Sequence, residues 1–130
     1  MGATENASRV RAGYDAFNQA DIPALIDLFA EDIIWHFPGS NKLAGDYVGR
    51  DATLGVLGAY GEAAGGTLKA NMIDIMASDN HVAGVANDTA AIGGKTLDVR
   101  STVVFAMSGG KITEAWHYID DLVAFDAFLG

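Results

Sequence analysis

Trp35-His36-Phe37-Pro38-Gly39, followed by Ala44-Gly45-Asp46-Tyr47-Val48-Gly49-Arg50-Asp51, is the stretch on which the fold turns. An aromatic strand over 33–37 runs into a Pro-Gly stop, since proline cannot donate to a strand ladder and glycine accepts the turn. A short loop carrying Tyr47 and Gly49 then leads into a helix over 51–64. Asp51 sits in its first turn, where a carboxylate meets the positive end of the helix dipole, and Gly65-Gly66 closes it. An aromatic strand feeding a helix in this way predicts a wall and a roof, and hence a pocket.

Upstream, 4–20 reads as a helix, with Val10, Tyr14 and Phe17 recurring at helical spacing. Asp21-Ile22-Pro23 restarts the chain: Asp21 is a good N-cap and Pro23 suits a first turn. The short helix that follows buries Leu25, Ile26, Leu28 and Phe29. Downstream the character changes. Four β-type runs, 68–77, 81–92, 95–107 and 111–119, are separated by Ser78-Asp79-Asn80, Gly93-Gly94 and Ser108-Gly109-Gly110. Links this short join antiparallel neighbours. Asp120 or Asp121 then caps a last helix through Phe128. Helices first and a meander afterwards make an α+β fold, here a single domain over 1–130.

In the run 95–107, Leu97, Val99, Ser101, Val103, Phe105 and Met107 share one face and are expected to meet the helices. The opposite face, Asp98, Arg100, Thr102, Val104 and Ala106, is only half polar. A sheet with such an outer face is suited to cover by a second copy, so a homodimer through that face is expected.

The formal charge of −9 and eight scattered basic residues argue against a nucleic-acid phosphate backbone or an anionic membrane surface. No run approaches the roughly 18 apolar residues of a membrane helix. Met1 to Asn6 has neither a basic start nor an apolar run, so a cytoplasmic location is expected. Cysteine is absent, which excludes disulfides, thiol catalysis and zinc–cysteine sites. The three histidines, His36, His81 and His117, have no ligand spacing, so neither a metal nor a cofactor is expected. A small, neutral, largely apolar ligand fits this composition best.

The residues and their order resemble the SnoaL-like branch of the nuclear transport factor 2-like superfamily. The carriers are 17–21 (Phe-Asn-Gln-Ala-Asp), Trp35 to Gly39, Gly45 to Asp51, 110–116 (Gly-Lys-Ile-Thr-Glu-Ala-Trp) and Asp120-Asp121. The resemblance implies a curved antiparallel sheet wrapped around N-terminal helices, a cone with an apolar pocket. That superfamily holds polyketide cyclases, ketosteroid isomerases, limonene-type epoxide hydrolases and proteins without catalysis, so fold alone does not choose among them. The isomerases' base before the strand proline is replaced by Phe37. Their oxyanion tyrosine falls at Gly13, one residue before Tyr14, and their protonated aspartic acid falls near Val103. In the epoxide-hydrolase pattern the nearest match to the Arg-x-Asp pair is Ala86 and Asp88, and the second Asp is replaced by Tyr118. For the cyclases' acid/base Asp the nearest candidates are Asp88 and Asp120.

Asp88 is the first candidate for chemistry. Sharing a face with Ala86, it either looks into the cone, where an apolar setting would raise its pKa and suit it to take a carbon-bound proton, or lies solvated at the rim. Trp116 and Tyr118 share a face of the last strand. They serve either as pocket wall and hydrogen-bond donor to a ligand carbonyl, or as core packing. Asp120 follows on that face as a mouth acid or a helix cap. His36 points away from Trp35 and Phe37, outward with Arg100 and His117; with the register inverted it becomes a general base near neutrality. The expected ligand-binding wall is Tyr14, Phe17, Trp35, Phe37, Tyr60, Val103, Phe105 and Trp116. Gly55, Gly58 and Gly61, three apart, make the helix over 51–64 weak by propensity.

The reading is therefore a cofactor-independent isomerase, cyclase or hydrolase acting by acid–base chemistry on a carbonyl or epoxide compound. The alternatives are a non-catalytic carrier of the same fold, and an epoxide hydrolase with a rearranged carboxylate set, Asp88 with Asp120.

Overall fold

The computed structural model describes residues 2–130. Helix α1 (Ala3–Gln19) and helix α2 (Ile22–Leu28) lead into strand β1 (Phe29–Phe37) and strand β2 (Gly45–Val48). Helix α3 (Arg50–Ala63) follows. Then come β3 (Lys69–Ala77), β4 (His81–Ile92), β5 (Lys95–Ser108), β6 (Lys111–Ile119) and helix α4 (Leu122–Leu129). The strands form one six-stranded sheet in the order β2-β1-β6-β5-β4-β3. All neighbours are antiparallel except β1 and β6, which run parallel. The sheet is curved and unclosed. Its inner face is covered by α1 against β3 and β4, α3 against β1, and α4 against β5. This is the expected α+β cone.

Local chemistry explains most boundaries. The Asp21 carboxylate accepts from Ala24 N at 3.2 Å, and Pro23 occupies the first turn of α2. Asp121 does the same for α4, accepting from Ala124 N at 3.0 Å. Such caps satisfy an otherwise orphaned amide and are worth about 1 kcal/mol each. Helix α1 is fastened at both ends to the β3 side of the cone. The Asn6 amide donates to Ser78 O and Asp79 O. Asn18 both donates to and accepts from Ala70 at 3.0 and 2.8 Å, pairing with the edge strand as another strand would.

Three sequence expectations change. Residues 45–48, expected as loop, pair with β1 as strand β2, Tyr47 opposite Trp35. Phe29, expected at the end of a helix, already opens β1, so that strand runs nine residues. Ile26 is exposed, because a seven-residue helix offers the core only one stripe, here Leu25 and Leu28.

The core is aromatic beneath β1 and α3. Phe37, Tyr60, His117 and Phe125 form a cluster of mostly edge-to-face rings 5.3 to 6.5 Å apart. Burying each such phenyl ring contributes about 1.5–3 kcal/mol.

Candidate functional site

The alternation of β4 decides the site. Val82, Gly84, Ala86, Asp88 and Ala90 are buried toward the helices while their neighbours face outward. Asp88, 3% exposed, is thereby set inside the cone. Tyr60, from the buried stripe of α3, donates from its phenol to Asp88 Oδ2 at 2.8 Å. The other oxygen, Oδ1, has no partner among the described residues. Asp88 is one of the residues lining a cavity of about 60 Å³, with Tyr14, Phe17, Trp35, Val103 and Phe105 among the others.

Burial in this apolar wall pushes the Asp88 carboxyl up from the ordinary 3.8 to about 6, against the opposing pull of the Tyr60 hydrogen bond. The same burial, reinforced by the Asp88 charge, drives both the Tyr14 and Tyr60 phenols far upward, so both remain hydrogen-bond donors. The Tyr14 hydroxyl is buried without a partner among the described residues, and so is the Trp35 indole N–H. Tyr14 reaches its place because residue 84 is glycine: a Cβ there would lie 2.5 Å from the Tyr14 hydroxyl oxygen.

Strand β6 overturns several expectations. Ala106 pairs with Glu114 but Met107 pairs with Ile112, so β6 carries one extra residue, Thr113. This bulge inverts the faces of everything after it. Ala115, His117 and Ile119 point inward, while Glu114, Trp116 and Tyr118 point outward. Trp116 therefore does not line the pocket and stacks on His36 instead, rings 5.9 Å apart and nearly parallel. Tyr118 is 56% exposed on the outer face and cannot reach a ligand in the cone. Asp120 lies exposed at the strand end, accepting from Arg100 N at 2.9 Å, so no Asp88–Asp120 pair flanks a common water. Phe37 is buried but stands behind Tyr60 and His117 rather than on the cavity wall.

His36 does face outward, and its partners are Asp46 of β2 and Glu114 of β6, each at 2.6 Å on a different ring nitrogen. These two hydrogen bonds raise its pKa. It is a clasp across three strands, and it does not touch the cavity.

His117 is the residue that sequence reasoning missed. It is buried beside the cavity, with Nε2 2.9 Å from Ser101 Oγ and Nδ1 without a partner among the described residues. Complete desolvation pushes its pKa down to about 3, so it is neutral. The bulge that puts it inside falls on a threonine, with no glycine to announce it. Ser101 pointing inward on β5 was the available signal, since a hydroxyl at a buried position requires a polar partner.

Chemically, the residues that line the apolar cavity include a carboxyl of raised pKa, a phenol, an indole and an imidazole, each with a buried polar atom that has no partner among the described residues. Among the described residues, no His, Cys, Asp and Glu cluster is placed to hold a metal ion, and no helix is long and apolar enough to cross a membrane.

The family model for the SnoaL-like domain matches residues 10–115. An uncharacterised protein of Mycobacterium tuberculosis, Rv0034, is 32% identical over 120 residues, 92% of either chain. Among solved structures, Bal32a from a soil-derived mobile gene cassette superposes with a TM-score of 0.95 at 41% identity, covering 98% of both chains. IdmH, a candidate polyketide cyclase from Streptomyces antibioticus, gives a TM-score of 0.77 at 22% identity, over 96% of this chain and 98% of its own; at that identity the likeness is one of fold.

Proposed function

We propose that this chain, which belongs to the SnoaL-like domain family of the nuclear transport factor 2-like superfamily, binds a small neutral carbonyl compound in its cone and moves a proton on it. The observation that carries this reading is Asp88. Its Oδ2 is held by Tyr60 while Oδ1 has no partner among the described residues, and the residue lines an apolar cavity. A carboxylate with a pKa near 6 is mostly ionised at neutral pH, yet basic enough to accept a proton from carbon.

In the step proposed, Asp88 Oδ1 takes the proton from the carbon next to the carbonyl. The C–H electron pair becomes the enolate π bond, and the carbonyl π pair moves onto oxygen. The Tyr14 hydroxyl, kept protonated by its surroundings, is the available donor to that oxygen. Return of the proton at another carbon completes an isomerisation; attack of the enolate carbon on a second carbonyl within the same molecule pushes that carbonyl's π pair onto its oxygen, and transfer of the proton from Asp88 to this alkoxide completes a cyclisation. No cofactor enters either sequence.

The elementary step can be measured without the natural substrate. Wild-type protein in deuterium oxide should accelerate exchange of the α-protons of cyclohexanone or 2-tetralone, followed by NMR, and Asp88→Asn should bind the same ketones without accelerating exchange. Ketone binding with no acceleration by the wild type would make the protein a carrier. Equal acceleration by Asp88→Asn would remove Asp88 from the mechanism.

The outer sheet face is proposed to be covered by a second copy. Trp116 and Val104 lie half-buried there beside the exposed Tyr118, an apolar strip bordered by the His36 clasp.

A further inference from the structure

The His117–Ser101 pair has no part in the proton transfer just described, yet it faces the same cavity. Both side chains are buried, on neighbouring strands β5 and β6, and Ser101 Oγ lies 2.9 Å from His117 Nε2. The imidazole is fenced on its other sides by Trp35, Phe37 and Phe125, all steeply inclined to it at 5.3 to 6.5 Å. These rings and Ser101 hold the imidazole with Nε2 toward the serine, and Nδ1 has no partner among the described residues.

Hydrogen-bond accounting selects the tautomer. A hydroxyl has one proton to give, and among the described residues the only partner of Ser101 Oγ is His117 Nε2. If Nε2 carried the proton, the serine hydrogen and the Nδ1 lone pair would both be stranded. If Ser101 donates to Nε2, the proton sits on Nδ1, and that N–H alone is left over. A buried N–H without a partner is costly, about 1–3 kcal/mol, and is kept where something else binds it. No carboxylate lies within ion-pairing distance of the ring among the described residues, and a neutral imidazole is what this burial favours.

We infer that His117 presents a neutral Nδ1–H to the cavity as a hydrogen-bond donor for a ligand oxygen, and that Ser101 is the positioning residue that fixes this tautomer. The inference rests on the cavity being the ligand site. It adds a second donor to Tyr14 for the same ligand oxygen, so the ligand class narrows to carbonyl compounds whose oxygen is held by two donors. His117 does not act as the base in this scheme; that task stays with Asp88.

The first test needs no ligand. In the long-range proton–nitrogen NMR spectrum, the His117 ring should show the Nδ1–H tautomer, unchanged between pH 5 and 8. Ser101→Ala should shift it toward Nε2–H, a change that a packing role alone would not produce. The second test uses cyclohexanone. Its carbonyl stretch in the infrared should lie at lower frequency when bound to wild type than to His117→Leu, with affinity about tenfold weaker in the variant. His117→Asn, whose amide nitrogen can stand where Nδ1 stood, should restore both. Should His117→Leu not fold, Ser101→Ala carries the infrared comparison, because the tautomer shift removes the donor. An Nε2–H tautomer in the wild type would overturn the inference, as would an unchanged carbonyl stretch in the variants. Absence of cyclohexanone binding to the wild type, with the Nδ1–H signal intact, would instead overturn the ligand-site reading and leave the pair purely structural.

Discussion

Replacing Asp88 by Asn should stabilise the protein, and the gain should depend on pH in a defined way. Asp88 has a folded pKa of about 6 against an ordinary 3.8. Between those values the folded chain binds more protons at this site than the unfolded chain, so stability falls as pH rises through the window. Roughly two pH units at about 1.4 kcal/mol each give a loss of about 3 kcal/mol, complete above pH 6 to 7. Asparagine is nearly isosteric with the protonated acid, can still accept from Tyr60, and has no charge to bury. At pH 4 the two proteins should therefore be almost equally stable. At pH 8 Asp88→Asn should be more stable by about 3 kcal/mol, or about 10 °C in melting temperature for a domain of this size. His117 titrates in both proteins and largely drops out of the difference. The assay is urea unfolding of both proteins at pH 4, 5, 6, 7 and 8, followed by tryptophan fluorescence. A stability difference that stays flat across that series would mean Asp88 ionises as freely in the fold as outside it. That result would remove the basis for calling it a tuned base.

Gly84→Ala should destabilise the protein by about 1–3 kcal/mol, since the new methyl meets the Tyr14 phenol; unfolding of Gly84→Ala with and without Tyr14→Ala should show strong coupling, and additive effects would refute the contact. Gly58→Ala should gain about 0.5–1 kcal/mol, because among the described residues no atom beyond the neighbouring residues and the backbone of its own helix lies within 4 Å of the added Cβ on an exposed helix position; a loss in thermal unfolding would count against it. The His36 clasp needs both ring nitrogens protonated to donate to Asp46 and Glu114. Its contribution is therefore present below the ordinary pKa of 6.5 and disappears as pH rises through the elevated folded value. The stability gap between wild type and His36→Phe should shrink toward pH 9, and a constant gap would contradict the clasp. Tyr118→Glu should leave the fold intact and yield monomers in sedimentation velocity if a second copy covers the outer face; a monomeric wild type would dispose of the dimer.

Most of the architecture is legible in the chain because side-chain alternation and turn chemistry are local signals. Period two puts Trp35 and Phe37 on one face with His36 on the other, and Asp88 on one face with Ala86; that the first of these faces and that of Asp88 are the inner ones comes from the packing. Strand β2 was not legible: four residues, three of them exposed, carry no alternation, and only pairing with β1 makes them a strand. Strand β6 was legible as a strand but not in its facing. Reading Trp116 and Tyr118 as inner residues obeys hydrophobicity, yet Thr113 adds one residue opposite Ala106 and Met107, and parity then delivers the smaller Ala115 and the polar His117 to the inside. The decision lies in the packing of β5 against β6, which no single strand contains.

The parallel contact between β1 and β6 bears on how the chain is made. His36 and Glu114 are 78 residues apart, and β1 has only the short β2 on its other side until β6 arrives. At a synthesis rate of roughly 5–20 residues per second, this leaves the nascent strand waiting about 4–16 seconds with one long ladder open. The segment left open is the aromatic one. Its protection during that interval has to come from α2 and α3, or from a chaperone. Slowing translation between β2 and β6 should therefore raise the aggregated fraction of newly made protein, while leaving the stability of the finished molecule unchanged.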